Sequence, residues 1–295
     1  MSLEDKINGW SGPSSANEQD KQDRTERMIR EAVQRHKQFE NCNLRVYVKG
    51  SYANNTNVKL DSDVDVAIQC REAFFWDNYS PGTHSPITPY SGPWTHSKLR
   101  SELKLALEAY FPGQVDSSGS TAFRIKSSTA RVDADVVPCF DYHFYLDGGG
   151  HLEGSRIFKI DGSQLNNYPD QQLENGRAKN SRTNSRYKNA VRAMKRMENE
   201  MVELKIHREV PSYFIECLAF NCPDSALTCS TWTETMKRIL FHIWNSLEGN
   251  EPSDEATRWL EVNGIKYLFH GTQEWTRQDG REFAAAAWNF LGLST

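Results

Sequence analysis

Gly50-Ser51-Tyr52-Ala53-Asn54-Asn55-Thr56-Asn57-Val58-Lys59-Leu60-Asp61-Ser62-Asp63-Val64-Asp65-Val66 is the stretch on which the reading of this chain turns. Just upstream, residues 44–49 (Leu-Arg-Val-Tyr-Val-Lys) alternate apolar and polar side chains, a short strand that runs into Gly50-Ser51. A Gly-Ser at a strand end offers backbone N–H groups and a hydroxyl to a phosphate. About twelve residues later, Asp63 and Asp65 open a second alternating run over 63–69. The two-residue period of a strand puts both carboxylates on one face and sends Val64 and Val66 into the core. Carboxylates held that close repel, and they either protonate or recruit a cation. Hard oxygen ligands beside a phosphate site favour Mg²⁺.

A second acidic strand lies downstream. Arg131-Val132-Asp133-Ala134-Asp135-Val136-Val137-Pro138 alternates again, with Asp133 and Asp135 facing the same way. Two-metal phosphoryl transfer uses such a third carboxylate. An isolated Asp-x-Asp is usually a solvated face, and Gly-Ser alone says less. What carries the catalytic reading is their order: Gly-Ser, a spacer, Asp-x-Asp, then a separate acidic strand ending in Val-Val-Pro.

Around this centre the elements sort by period. Residues 1–17, rich in Gly, Pro, Ser and Asn, read as an irregular arm, and 18–39 as a long amphipathic helix. Pro81, Pro86, Pro89 and Pro93 forbid regular structure over 77–97. A helix follows at 97–111, then strands near 121–127, 131–137 and 142–146, with Gly148-Gly149-Gly150 as a turn. Beyond residue 180 the pattern is helical: 184–206, 211–221, 229–248, 253–262 and 280–291. The fold class is therefore α+β, a mixed sheet followed by a helical half.

Composition bounds the rest. In 295 residues, 35 Lys+Arg against 39 Asp+Glu give a net charge of −4, which excludes a generally basic nucleic-acid coat. No run is apolar enough to span a membrane, and the first residues lack a signal-peptide pattern, so the expected location is the cytoplasm. Six cysteines are too sparse for a disulfide scaffold. Cys217, Cys222 and Cys229, near His207, are spaced more loosely than common zinc motifs and read as buried free thiols. Yet from Arg177 to Met197 there are eight Lys/Arg and no acid. Lys188, Arg192 and Lys195 lie at i, i+4 and i+7, a stripe suited to a triphosphate.

Gly50-Ser51, Asp63-Val64-Asp65, Asp135-Val-Val-Pro138 and Pro211-Ser-Tyr213-Phe-Ile-Glu216 together resemble the polymerase-beta nucleotidyltransferase superfamily. More closely, the chain resembles the bacterial cGAS/DncV-like nucleotidyltransferases (CD-NTases) of CBASS anti-phage systems. The resemblance implies a bilobal nucleotidyltransferase fold: an arm (1–17), a catalytic core with a long N-terminal spine helix (18–175) and a C-terminal helical lobe (176–295). It implies two Mg²⁺ ions, with Mn²⁺ as a substitute, on Asp63, Asp65 and Asp135, since the third ligand of the family directly precedes two apolar residues and Pro. Asp133 is the runner-up, as ligand, supporting group or acceptor-side group. It further implies nucleotide binding by Gly50, Ser51, Lys188, Arg192, Ser212 and Tyr213, the last stacking on a base.

The activity implied is a cyclic oligonucleotide synthase, foremost of cyclic dinucleotides, using nucleoside triphosphates and releasing pyrophosphate. Its product would act on a separate effector. The chain would be a monomer, with ancillary CBASS proteins and no need for long nucleic acid or a membrane. The rivals are a linear or RNA-tailing transferase, a protein-nucleotidylating one, and an inactive nucleotide-binding module. Asn166-Asn167-Tyr168-Pro169 either reads a base edge or forms a turn. His84 and His96 have no catalytic carboxylate to pair with. Leu291–Thr295 is either a tail for conjugation or an ordinary chain end.

Overall fold

The computed structural model describes residues 1–58, 63–80 and 90–293. Lys59–Ser62 of the opening stretch, Pro81, His84, Pro86 and Pro89, and Ser294-Thr295 of the proposed tail lie outside the described residues. The chain divides into two units: Ser15–Ala53 with Lys59–Pro169, and Met1–Ser14 with Asn54–Val58 and Asp170–Thr295.

The first helix, α1 (Leu3–Ser11), belongs to the helical unit. The sheet unit opens with α2 (Ala16–Gln34), started by a reciprocal cap between Ser15 and Glu18. Its Ile29, Ala32 and Val33 are buried. The helix ends five residues earlier than the sequence pattern predicts, and Lys37–Phe39 form a 3₁₀ turn. β1 (Leu44–Lys49), α3 (Gly50–Ala53) and β2 (Val64–Asn78) follow, then α4 (His96–Tyr110) and β3 (Val115–Asp116). The unit closes with β4 (Phe123–Ile125), β5 (Ala134–Tyr145), β6 (His151–Phe158) and β7 (Gln164–Asn167).

The strands form one mixed sheet in the order β1-β2-β5-β4-β3, with β6 pairing both β5 and β7. Only β2 and β5 run parallel among the pairings described. Val64, Val66, Ala134 and Val136 share a core with Leu99, Leu103 and Leu107 of α4 and Ile29 of α2. Each of these Val, Leu and Ile side chains, fully buried, contributes roughly 1.5–3 kcal/mol. The alternate residues Asp65 and Asp135 therefore fall on the opposite face.

Three further expectations for this unit need correction. The strands predicted at 131–137 and 142–146 are a single strand, β5, which runs through Pro138. The β4 ladder ends at Val136 and the β6 ladder begins at Phe140, so on that edge Pro138 has no partner needing its missing N–H. Strands β6 and β7 escape the sequence pattern because Glu153, Gly154 and Arg156 interrupt the first and the second is a short, mostly polar run. Gly154 is needed there, since a Cβ would lie 2.6 Å from the Asn167 carbonyl oxygen. Finally, Asn166 and Asn167 end a strand paired with Arg156 and Ser155, which replaces the turn reading.

In the helical unit the expected irregular arm is helix α1, capped reciprocally by Ser2 and Asp5 and held by fully buried Ile7. Helix α5 (Pro169–Arg182), with Gly176 and no apolar stripe, has no visible period in the sequence. Then come α6 (Arg186–Glu203), α7 (Ser212–Asn221), the short α8 (Asp224–Leu227), α9 (Trp232–Ser246) and α10 (Arg277–Phe290). The helix expected at 253–262 is a 3₁₀ turn over Glu255–Thr257 followed by a Leu260–Tyr267 bridge. Nearby, the Asn263 side chain accepts from the N–H groups of Ile265 and Lys266, a local bond that competes with helix. Met194, Met197, Phe214, Leu218, Ile239 and Phe283 build this unit's core. Cys217 and Cys222 are buried thiols within it. No described helix is long and apolar enough to cross a membrane.

Candidate active site

The parallel pairing of β2 with β5 sets Val64 opposite Ala134 and Asp65 opposite Asp135. Opposed residues of adjacent strands share a face, so two carboxylates distant in sequence become neighbours. Asp63 stands one residue before β2. On the other side of Asp65, β1 ends at Lys49, which pairs with it in register, Lys49 Nζ lying 3.5 Å from Asp65 Oδ1. The next residue, Gly50, has φ +70°, and a Cβ there would collide with Asp65 Oδ2 and lie 3.2 Å from its Cγ. Only glycine allows the backbone to turn this tightly against the carboxylate. Ser51 follows within α3.

Arg124 on β4 is the second cation of this face. It pairs in register with Asp135, yet its guanidinium turns to Asp133 Oδ2 at 2.6 Å and to Asp63 Oδ2 at 3.8 Å. Asp133 also accepts the Ser127 N–H. Burial would raise its carboxyl, but the bonds from Arg124 and Ser127 outweigh that and hold it below the usual aspartate range. Asp133 thus works as a bracket for Arg124 and the 127–133 loop.

Asp135 is in the opposite condition. It makes no ion pair with the described residues, and burial, then the charges of Asp65 and Asp63, push its carboxyl above the usual aspartate range. A half-buried carboxylate raised by two like neighbours calls for positive charge. Asp63, Asp65 and Asp135 are all hard oxygen donors, so the residues present fit a divalent cation of the Mg²⁺ or Mn²⁺ type. Lys49 and Arg124 carried no signal in the sequence, because only register brings them to the carboxylates.

The helical unit positions the other candidates. Lys188 is half-buried on α6, and its ammonium makes no ion pair or hydrogen bond with the described residues. Burial, then the repulsion of Arg177 and Arg192, lowers its pKa against the pull of Glu216. An unpaired, half-desolvated lysine of this kind favours an anion. Ser212 is exposed at the start of α7. Tyr213 donates its hydroxyl to Glu261 Oε2 at 3.2 Å and meets Trp275 edge-on, with ring centroids 6.5 Å apart.

Arg192 and Lys195 do not form the exposed stripe that their spacing predicts. They are 4% and 2% exposed, turned into the unit. Arg192 donates to the carbonyl oxygens of Ser11 and Asn55 and to Asn189 Oδ1, which commits its fork to the chain. Lys195 lies 3.5 Å from Glu216, which also accepts from Asn54 and Thr56. Helix period counts faces but cannot say which one is inside. The basic run largely neutralises buried carbonyls and acids, with Lys179 on the Cys222 carbonyl and Arg186 on that of Leu227. Glu216 is the residue whose role the sequence left blank: it anchors Asn54–Val58, the segment that follows Gly50-Ser51.

On β7, Asn166 Oδ1 accepts from Arg156 Nε at 2.9 Å, and Arg156 also pairs with Asp77. The Asn166 amide is thereby held in one orientation.

Comparison with known proteins bears on the family of the chain. Residues 174–292 match the family model of the cGAS/DncV-like nucleotidyltransferase C-terminal helical domain. The chain is 33% identical over 289 residues to a cyclic dipyrimidine nucleotide synthase CdnE of Legionella pneumophila, covering 96% of this chain and 95% of that protein. It is 30% identical over 291 residues to the enzyme of the same name from Cecembia lonarensis, covering 98% of each. Among solved structures, the Rhodothermus marinus CdnE c-UMP-AMP synthase with Apcpp and Upnpp superposes with a TM-score of 0.84 at 27% identity. That match covers 99% of this chain and 98% of the other. With its C-terminal helical domain matched by the family model and relatives of 30% and 33% identity aligned along nearly its whole length, the chain belongs to the cGAS/DncV-like nucleotidyltransferases, enzymes that join nucleoside triphosphates into cyclic nucleotides.

Proposed function

We propose that this enzyme makes a cyclic dinucleotide with at least one pyrimidine base, as a cytoplasmic second messenger of anti-phage defence that acts on a separate effector. The observation that carries the catalytic part is the pairing of Asp65 with Asp135 against Gly50, with Asp135 left short of positive charge. Pyrimidine use is supported by the two cyclic dipyrimidine synthases among its relatives.

In this reading the sheet unit performs the transfer and the helical unit grips nucleotide. Asp63, Asp65 and Asp135 would hold two Mg²⁺ ions, which would supply neutralisation of triphosphate charge and acidification of the attacking ribose hydroxyl. Gly50 and Ser51 present N–H and hydroxyl groups to the β- and γ-phosphates. Lys188 meets the triphosphate tail with Ser212, and Tyr213 offers a face for a base, worth roughly 1–3 kcal/mol. The ribose hydroxyl of one nucleotide attacks the α-phosphate of the other, and pyrophosphate leaves. A second such transfer on the linear intermediate closes the ring. The chain supplies orientation and charge balance in place of a covalent intermediate.

The test is incubation of purified protein with single and paired nucleoside triphosphates and Mg²⁺, then phosphatase treatment and mass spectrometry. A phosphatase-resistant, pyrimidine-containing cyclic dinucleotide is expected, lost in Asp63→Ala/Asp65→Ala. Products with phosphatase-sensitive ends, products that lengthen with added RNA, or label transferred to protein would each replace this reading with a rival transferase.

A further inference from the structure

Well away from the acidic residues, the same sheet carries a second group of ligand-type side chains. His143 on β5 pairs in register with Glu153 on β6, and Tyr145 with His151, so all four share one face of the hairpin. One ligand atom from each of His143, His151 and Glu153 lies within 4.8 Å of the other two. The imidazole rings of His143 and His151 stack with centroids 4.2 Å apart, and His151 Nε2 is 3.6 Å from Glu153 Oε1. His143 is further fixed by the ring of Phe74, 5.1 Å away. Its Nδ1 is buried without a hydrogen-bond partner. A buried ring nitrogen without a partner costs free energy that a ligand would recover.

We propose that His143, His151 and Glu153 form a binding site for a divalent transition-metal ion of the zinc class. Two imidazoles and one carboxylate, with a fourth position for water, match the ligand set of an open tetrahedral site. The same nitrogen-rich set disfavours Mg²⁺, which seeks six oxygens, so this site and the aspartate centre select different ions. Ligand atoms on a tetrahedral ion with bonds of ~2.1 Å stand about 3.4 Å apart. The gap from 4.8 Å closes by rotation of His151 and Glu153, both exposed side chains. Burial, then the neighbouring His151, lowers the His143 pKa, which keeps its ring neutral and able to ligate. From Asp135 to His143 the strand rises about 26 Å at ~3.3 Å per residue, so the ion would staple β5 to β6 without touching the reacting atoms.

The site is separable from the catalytic reading by working in the full-length Asp63→Asn/Asp65→Asn/Asp135→Asn background. Zn²⁺ titration against a chromophoric chelator is expected to find one equivalent bound in that variant and in the wild type. Bound Co²⁺ should show visible d–d bands without a thiolate charge-transfer band, which excludes the cysteines as ligands. His151→Ala, an exposed and structurally mild change, should weaken Zn²⁺ at least tenfold, and Glu153→Gln severalfold. Zn²⁺ should also raise the melting temperature of the triple variant but not of its His151→Ala derivative. No Zn²⁺ bound by the triple variant, an affinity unchanged by His151→Ala, or a thiolate band would each overturn the proposal.

Discussion

Asp133 and Asp135 lie two residues apart on one face, and their partners divide the work between them. Asp133 is bonded by Arg124 and the Ser127 N–H, whereas Asp135 makes no ion pair with the described residues and is raised by burial and by Asp65 and Asp63 against the weaker pull of Arg124 and Lys49. Asp135→Asn is expected to lower turnover by about 10³-fold, measured as pyrophosphate release, as loss of a key electrostatic group does. Asp133→Asn should cost less than about tenfold, because Arg124 and not the substrate is its partner. The pair also separates in stability. A carboxyl whose pKa is raised in the folded state holds its proton more tightly there than in the unfolded chain. Asp135 therefore costs nothing below the ordinary aspartate value, and its full penalty appears once pH exceeds the raised one. In chelator at neutral pH, Asp135→Asn should melt above wild type, and that advantage should vanish under acid conditions below the ordinary aspartate value. Gly50→Ala should do the reverse of a stabilising change. A left-handed backbone costs a side chain roughly 1–2 kcal/mol before the collision with Asp65 is counted. Melting temperature and activity should fall together.

At the scale of elements, the lesson is how the segment Asn54–Val58 is held. Arg192 of α6 grips the Asn55 carbonyl and the end of α1, while Glu216 of α7 takes the side chains of Asn54 and Thr56. Removing one member of the buried Lys195–Glu216 pair leaves the other unpaired. Glu216→Leu is therefore expected to destabilise by about 3–5 kcal/mol, read from the denaturant midpoint. Lys195→Met combined with Glu216→Leu should recover part of that loss in a double-mutant cycle, since no buried charge is then stranded. Purely exposed side chains would give additive effects. The long elements were legible here because their periods are strong: β1 matches its expected bounds, and α4 and α7 lie within a residue of theirs. The 253–262 segment was misread, and α5 missed, for one reason. Their conformations are set by side-chain bonds and by neighbours, and not by an apolar stripe.

For the whole molecule, the near-neutral total of −4 hides a division of labour. Acidic strand ends gather on one sheet face, while most of the basic run around α6 is spent inside the helical unit. Removing divalent cations with a chelator should abolish product formation, with Mg²⁺ or Mn²⁺ restoring it. Lys188→Ala should raise KM for nucleoside triphosphate about tenfold with little change in melting temperature, since its ammonium supports nothing else among the described residues. The sequence by itself determined the α+β class, the Gly-Ser turn, the three acidic positions and the family, because these are local patterns: strand alternation, a glycine-only backbone and fixed spacing. Only the tertiary structure decided which acid lacks an ion pair among the described residues, which cations are turned inward, and where Lys49, Arg124 and Glu216 sit. Those facts depend on register and burial, which join residues far apart in the chain and leave no local trace.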